Sequence, residues 1–274
     1  MNIVITGGSG FVGSYLCEKL INDGHEIIVV DNLLTGSTEN INHLMHNENF
    51  SFIEHDVQNH IEIENKVDYV LHFASAASPK AYTEHPVNTL KAGSVGTINT
   101  LGLAKKHDAE YLLASTSEVY GDPLISPQTE EYWGNVNPNG ERSMYDEAKR
   151  FAEAAVATYS RSYDLKTKIV RIFNTYGPRM QLNDGRVVTN FIVQALKNEN
   201  ITIYGDGSQT RSFSYVEDTV AGIISLMNSS EYDVFNIGNP NEMTVGQLAE
   251  KIIELTDSTS EIKYLELPND DPKQ

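Results

Sequence analysis

A single cysteine, Cys17, stands among 274 residues, which excludes an internal disulfide framework and leaves the thiol as a small packing group in a predicted helix. Long apolar runs are missing as well: none approaches the roughly 20 residues that a bilayer-crossing helix needs. The apolar start, Asn2 to Thr6, has no basic stretch before it and runs straight into glycines. It reads as a strand rather than a signal peptide, and a cytoplasmic location is expected. Cations are scarce, with 20 Lys and Arg against 38 Asp and Glu and a net charge of −18. That balance argues against a nucleic-acid partner, though a pocket can still be locally basic on an acidic protein. Among the 8 histidines only His43 and His46 have helical spacing, and neither Cys nor acid stands at ligand spacing beside them, so no metal site is expected.

What the chain does have is a 40% hydrophobic content, enough for a sizeable core in one large domain, or in a large one with a small lobe. Apolar segments bounded by turn residues predict strands at Asn2 to Thr6, Glu26 to Val30, Ser51 to His55, Tyr69 to Phe73, Tyr111 to Ala114 and Thr167 to Ile172. Helical patterns fall between them, near Pro86 to His107 and Tyr145 to Tyr163. Such alternation predicts an α/β fold, a Rossmann-type doubly wound parallel sheet. From about Phe173 the texture turns to loops with Gly, Pro, Arg and aromatics, with shorter helices at Thr189 to Asn198 and Val245 to Thr256. The expected division is a dinucleotide-binding domain over 1–172, rejoined by 213–237, and a substrate lobe formed mainly by 173–274.

The first strand leads into Gly7-Gly8-Ser9-Gly10-Phe11-Val12-Gly13, and the missing side chains at Gly7, Gly10 and Gly13 let backbone approach a pyrophosphate at a helix N-terminus. The second strand ends at Asp31, 18 residues after Gly13. A carboxylate there accepts hydrogen bonds from both ribose hydroxyls and repels a 2′-phosphate, which favours NAD over NADP. Strand, glycines, helix, strand and acid in this order are far more specific than a glycine turn alone.

Downstream, Thr116-Ser117-Glu118 closes another strand, and Tyr145 and Lys149 stand one helical turn apart. Oxidising a secondary alcohol calls for a base near neutral pH, and a free Tyr titrates near pH 10. The spacing predicts the Lys149 ammonium on the same helix face, favouring the phenolate, with Thr116 as a second partner of the same oxygen. Tyr15 and Lys19 share the spacing but read as a solvated helix face. Four of the seven arginines, Arg171, Arg179, Arg186 and Arg211, cluster with Asn174, Asn190, Tyr204 and Gln209, a set suited to a nucleotide diphosphate and its base.

Five segments carry a closer resemblance: Leu112 to Pro123, Glu131 to Pro138, Arg171 to Met180, Asp184 to Val188 and Tyr204 to Arg211. Through them the chain resembles the UDP-glucuronate decarboxylases (UDP-xylose synthases) of the extended short-chain dehydrogenase/reductase superfamily, from Met1 to Gln274. The resemblance implies NAD contacts at Gly7, Gly10, Phe11, Val12, Gly13, Asp31, Asn32, Thr35, Gly36, Asp56, Val57, Phe73, Ser75, Tyr145 and Lys149. It implies UDP-sugar contacts at Lys91, Ser117, Asn174, Arg186, Val188, Asn190, Tyr204, Gln209 and Arg211, and a homodimer that pairs two long helices from each subunit. UDP-glucuronate would pass through a UDP-4-keto intermediate to UDP-xylose, with Thr116, Glu118, Tyr145 and Lys149 catalytic. The similar 4,6-dehydratases carry an aspartic acid where this chain has Ser117, as expected if their leaving hydroxyl must be protonated; loss of carbon dioxide needs no such acid. The family chains continue for some dozens of residues beyond Asp270 to Gln274, starting with an arginine implicated at the active site, so the lobe is expected to be truncated. Two further departures, Gly93 where many relatives have Asn and Ser75 where they have Cys, are expected on the pocket side. A UDP-sugar 4-epimerase, a 4,6-dehydratase and a catalytically silent nucleotide-sugar-binding protein are the alternatives.

Overall fold

The computed structural model describes residues 1–266. Five strands rich in β-branched and aromatic residues form the centre: β1 (Asn2–Thr6), β2 (Glu26–Asp31), β3 (Phe50–Glu54), β4 (Tyr69–His72) and β5 (Glu110–Thr116). With β6 (Thr167–Ile172) and the edge strand Val234–Ile237 they make a seven-stranded parallel sheet in the order β3, β2, β1, β4, β5, β6, Val234–Ile237. Buried on both faces, β4 and most of β6 show no polar alternation, as parallel strands covered by helices require. Strand order reverses between β1 and β4, and a ligand crevice is expected outside the carboxyl ends of the strands at that point.

One apolar layer joins α1 (Phe11–Asn22) and the helix Val216–Asn228 to the sheet through Leu16, Leu20, Val220 and Ile223. The other face is covered by a helical run with three parts and by one long helix. A short helix, α2 (Pro79–Glu84), precedes α3 (Pro86–Lys91), which passes through a widened turn at Ala92–Gly96 into α4 (Thr97–His107). Beside them lies α5 (Ser143–Tyr163), which buries Ala152, Ala155 and Val156. A separate core holds Val188, Phe191, Ile201, Ile203, Leu248 and Ile252, from the helices Val187–Leu196 and Val245–Thr256 and the strand Ile201–Tyr204. Residues 267–274, where the expected lobe ends and the departure at Asp270 to Gln274 falls, lie outside the described residues.

Two features differ from the sequence expectations. The helix expected from Pro86 to His107 is interrupted at Ala92–Gly96, where the turn widens. Gly93 does not line the cavity described below; it packs on α5, and a Cβ there would stand 2.7 Å from the Ala148 Cβ. Its missing side chain sets the close approach of two helices rather than the shape of a pocket. His43 pairs with Glu18, and among the described residues no group of three His, Cys, Asp or Glu could hold a metal ion. No helix among these residues is long and apolar enough to cross a membrane.

Candidate active site

The carboxyl ends of β1 to β6 open into one cavity of about 1090 Å³. Each strand delivers its residues as it leaves the sheet: Gly7 to Gly13 after β1, Asp31 and Asn32 after β2, Asp56 and Val57 after β3, Phe73 and Ser75 after β4, Thr116 to Glu118 after β5, and Asn174 after β6. Thr35 and Gly36 line it as well, as do Tyr145 and Lys149 from α5 and Arg186, Val188, Asn190, Tyr204, Gln209 and Arg211 from the smaller core. Lys91 is the exception. It ends α3 with an exposed side chain that does not line the cavity, while Asn88, Thr89 and Ala92 do, because the pocket-facing side of this helix falls at those positions.

The β1 turn leaves room where a dinucleotide needs it. Gly7 has φ +73°, and a Cβ on Gly13 would stand 2.2 Å from the Gly7 carbonyl oxygen, so larger residues would break the turn. No side chain caps the N-terminus of α1, whose first amides and dipole are left for an anion. Asp31 is buried and its two oxygens accept the Ser9 and Leu33 amides, which fixes the carboxylate at the cavity wall. Close by, the Ser9 hydroxyl is buried without a partner among the described residues. Asn32 donates to Asp56, joining the β2 and β3 ends in one polar rim. The residues present fit a dinucleotide: glycines that clear the approach, an uncapped helix end, an orphaned hydroxyl and a fixed carboxylate.

At the far side of β5 the catalytic candidates converge. Tyr145 is buried, its ring stacked on Tyr82 of α2 at 5.2 Å and 17°, and its phenol lies beside Thr116. Burial pushes the phenol above its ordinary value, and the Thr116 hydroxyl pulls the other way. The expected ammonium-phenolate couple is not formed directly: Lys149 donates to the Ala114 carbonyl at 2.8 Å, with its nitrogen 5.9 Å from the centre of the Tyr145 ring. A strand carbonyl at the end of its reach outcompetes the phenol for the ammonium. Burial brings Lys149 down to about 8, with Glu153 opposing that shift. Behind it, burial and the Lys149 charge lower His72 to about 3, so this imidazole is neutral and its Nδ1 pairs with the Thr6 hydroxyl at 2.7 Å.

Arg142 was not legible as a site residue, although its place three residues before Tyr145 is a signal of shared helix face. It lines the cavity and pairs with Glu118. Tyr82 and His55 also line the cavity without having been singled out, and the His55 Nε2 is buried without a partner among the described residues.

The arginine cluster divides. Arg171 does not face the cavity: it is buried behind β5, bidentate to Glu153 at 3.0 and 2.8 Å, and it also donates to the Tyr120 hydroxyl and the Glu130 carbonyl. Arg179 lines the cavity but is paired with Glu18 and lies over the Tyr15 ring. Lys19, the other half of the decoy pair, reaches Asp23 at 2.8 Å on the surface. Arg186 is held by buried Asp184 at 2.7 Å, and it and Arg211 are the cavity arginines of the smaller core. Gln209 donates to the Tyr204 carbonyl while its own side-chain oxygen is buried and, among the described residues, unpartnered. Beside it the Tyr204 ring is half exposed.

The model of the NAD dependent epimerase/dehydratase family matches residues 3–238. A UDP-glucuronic acid decarboxylase 1 of Xenopus tropicalis is 53% identical over 99% of this chain and 64% of that relative. The chain spans less than two thirds of the length of such relatives, 61% to 65% for those of Xenopus tropicalis and Danio rerio and three of Arabidopsis thaliana. Among solved structures, a UDP-glucose 4-epimerase of Thermotoga maritima with UDP-glucose superposes with a TM-score of 0.91 at 32% identity, covering 100% of this chain and 88% of that one. A UDP-glucuronic acid 4-epimerase of Bacillus cereus, in complex with UDP-glucuronic acid and NAD, gives 0.85 at 25% identity, over 100% of this chain and 89% of that one.

Proposed function

Because this chain belongs to the NAD dependent epimerase/dehydratase family, we propose that it decarboxylates UDP-glucuronate to UDP-xylose with NAD bound and no net redox change. The observation that carries the reading is the composition of the buried end of the cavity. It brings a phenol and a hydroxyl together, Tyr145 and Thr116, with a serine at 117 where a dehydratase would need an acid. Relatives named as decarboxylases, matched over 99% of the chain, support it.

NAD would lie along Gly7 to Gly13, Asp31 and Asn32, Asp56 and Val57, and Phe73 to Ser75, and when bound it supplies the acceptor and later the donor of one hydride at C4. The Asp31 carboxylate excludes a 2′-phosphate by repulsion. Arg186 and Arg211 neutralise the diphosphate, and Tyr204 and the free oxygen of Gln209 take the base. Tyr145 removes the C4 hydroxyl proton while Thr116 holds the same oxygen. Once C4 is a ketone, the C5 carboxylate is that of a β-keto acid. The bond between C5 and the carboxyl carbon breaks, carbon dioxide leaves, and the electron pair rests as an enolate whose oxygen stays on Tyr145 and Thr116. A proton then adds at C5, relayed by Glu118, and Tyr145 returns its proton to the C4 oxygen as the ketone is reduced.

Hydrogen bookkeeping tests this scheme. In deuterium oxide with UDP-glucuronate and NAD, the expected product is UDP-xylose carrying deuterium at C5 and the original hydrogen at C4, without accumulated NADH; NADP does not substitute. An epimer that keeps its carboxylate would instead assign a 4-epimerase. Stoichiometric NADH with a 4-keto pentose would break the closed cycle, and no turnover at all would leave a binding protein.

We also infer a homodimer paired through α5 and the run from α3 to α4. Val87, Leu90, Val95 and Ile98 are exposed along that run, and Phe151 is 47% exposed on α5. Phe151→Glu is expected to convert a dimer to monomers in sedimentation velocity. A wild-type monomer would remove the inference.

A further inference from the structure

We propose that Arg142 is a positioning residue of the reaction: its guanidinium neutralises the Glu118 carboxylate inside the cavity, and so lets Tyr145 reach the phenolate form beside it. The inference rests on the base role given to Tyr145 above.

The placement is built into the start of α5. The Arg142 carbonyl accepts the amides of Tyr145 at 2.9 Å and Asp146 at 3.2 Å, so the arginine is tied one turn from the phenol. Its side chain turns into the cavity and pairs with Glu118, both groups keeping about a quarter to a third of their exposure. The pairing is not the saturated kind that braces a fold. Arg171 spends all three guanidinium nitrogens on protein oxygens, whereas the Arg142 Nε is buried without a partner among the described residues.

The groups around the phenol explain why a fixed cation is needed there. From the end of β5 come the Thr116 hydroxyl and the Glu118 carboxylate; from α2 comes the stacked Tyr82; from α5 itself come Asp146 and Lys149. The Glu118 and Asp146 carboxylates oppose a negative charge on Tyr145. Burial weakens the hold of Arg142 on its proton, but the charges of the same two carboxylates more than offset it. Lys149 is committed to the Ala114 carbonyl and is itself lowered to about 8, so its charge is lost within the alkaline range, while a guanidinium keeps its charge at every working pH. Without Arg142, an unpaired carboxylate would stand beside the base.

The sign of the effect follows. The rate needs ionised Tyr145, so it rises with pH through the apparent pKa of that phenol. Arg142→Met exposes Tyr145 to the bare Glu118 charge, the phenolate is disfavoured, and the acid limb of kcat/KM moves to higher pH by about one unit or more. Arg142→Lys keeps a positive charge and holds the limb near that of wild type. Adding Glu118→Gln to Arg142→Met removes the repulsion and brings the limb back, although the rate itself stays low. A merely structural arginine would lower the rate without this dependence on Glu118.

Turnover need not be the readout. With the protein saturated with NAD and no sugar nucleotide present, the Tyr145 ring carbon can be titrated by NMR, its signal assigned by loss in Tyr145→Phe. The expected order of midpoints is Arg142→Met highest, with wild type, Arg142→Lys and the double variant below it. An unchanged midpoint in Arg142→Met, or a rise that persists in the double variant, would overturn the proposal. If the protein does not decarboxylate UDP-glucuronate, this titration still decides the role of Arg142, so the two failures are distinct.

Discussion

Tyr145→Phe lowers turnover by about 100-fold or more while NAD affinity stays within a small factor of wild type, because losing a general base normally costs at least that much. The asymmetry comes from where the two functions are built. The residues proposed to hold the dinucleotide lie at the ends of β1, β2 and β3, whereas Tyr145 reaches the cavity from α5 beside Thr116. The variant keeps its ring, so the stack on Tyr82 and the burial of the site persist, and only the oxygen is lost. Steady-state rates together with a calorimetric NAD titration check it. More than about a tenth of the wild-type rate would remove Tyr145 from the base role.

Arg171→Met is expected to cost about 3–5 kcal/mol of folding stability, the usual consequence of stranding one member of a buried ion pair. Arg171 and Glu153 are both largely buried, and Glu153 also accepts from the Ser115 hydroxyl at 2.5 Å. Removing the guanidinium leaves the Glu153 carboxylate without its bidentate partner and the Tyr120 hydroxyl without a donor. Urea denaturation should show a lowered midpoint, while the folded fraction binds UDP as wild type does. Native stability with lost UDP affinity would return Arg171 to the nucleotide site.

The fate of Arg171 marks where reading the chain fell short. Charge and clustering placed it with the nucleotide arginines, but β6 is buried along nearly its whole length, and in such a strand no polar alternation reveals which way a side chain points. The strands themselves were legible: β1 and β6 were bounded to the residue, because β-branched runs end at turn-forming residues there. Lys149 was placed on the right helix turn and yet its partner was missed, since a backbone carbonyl has no signature in sequence. The short helix α2, six residues long, offers too little periodicity to be read, and with it Tyr82 went unnoticed. Lys91 was carried over from the family resemblance alone, and its helix turns it to solvent.

The cavity draws its two halves from separate cores. Thr116, Tyr145 and Lys149 are set by β5 packed on α5, while Val188, Asn190, Tyr204, Gln209 and Arg211 hang on the smaller apolar cluster around Phe191 and Leu248. Substitutions that retune recognition can therefore accumulate in one core without disturbing the register that aligns base and hydroxyl in the other. Such a partition leaves the pairing of base and hydroxyl as a fixed inheritance and the lining of the other half as an evolvable variable, each free to change at its own pace.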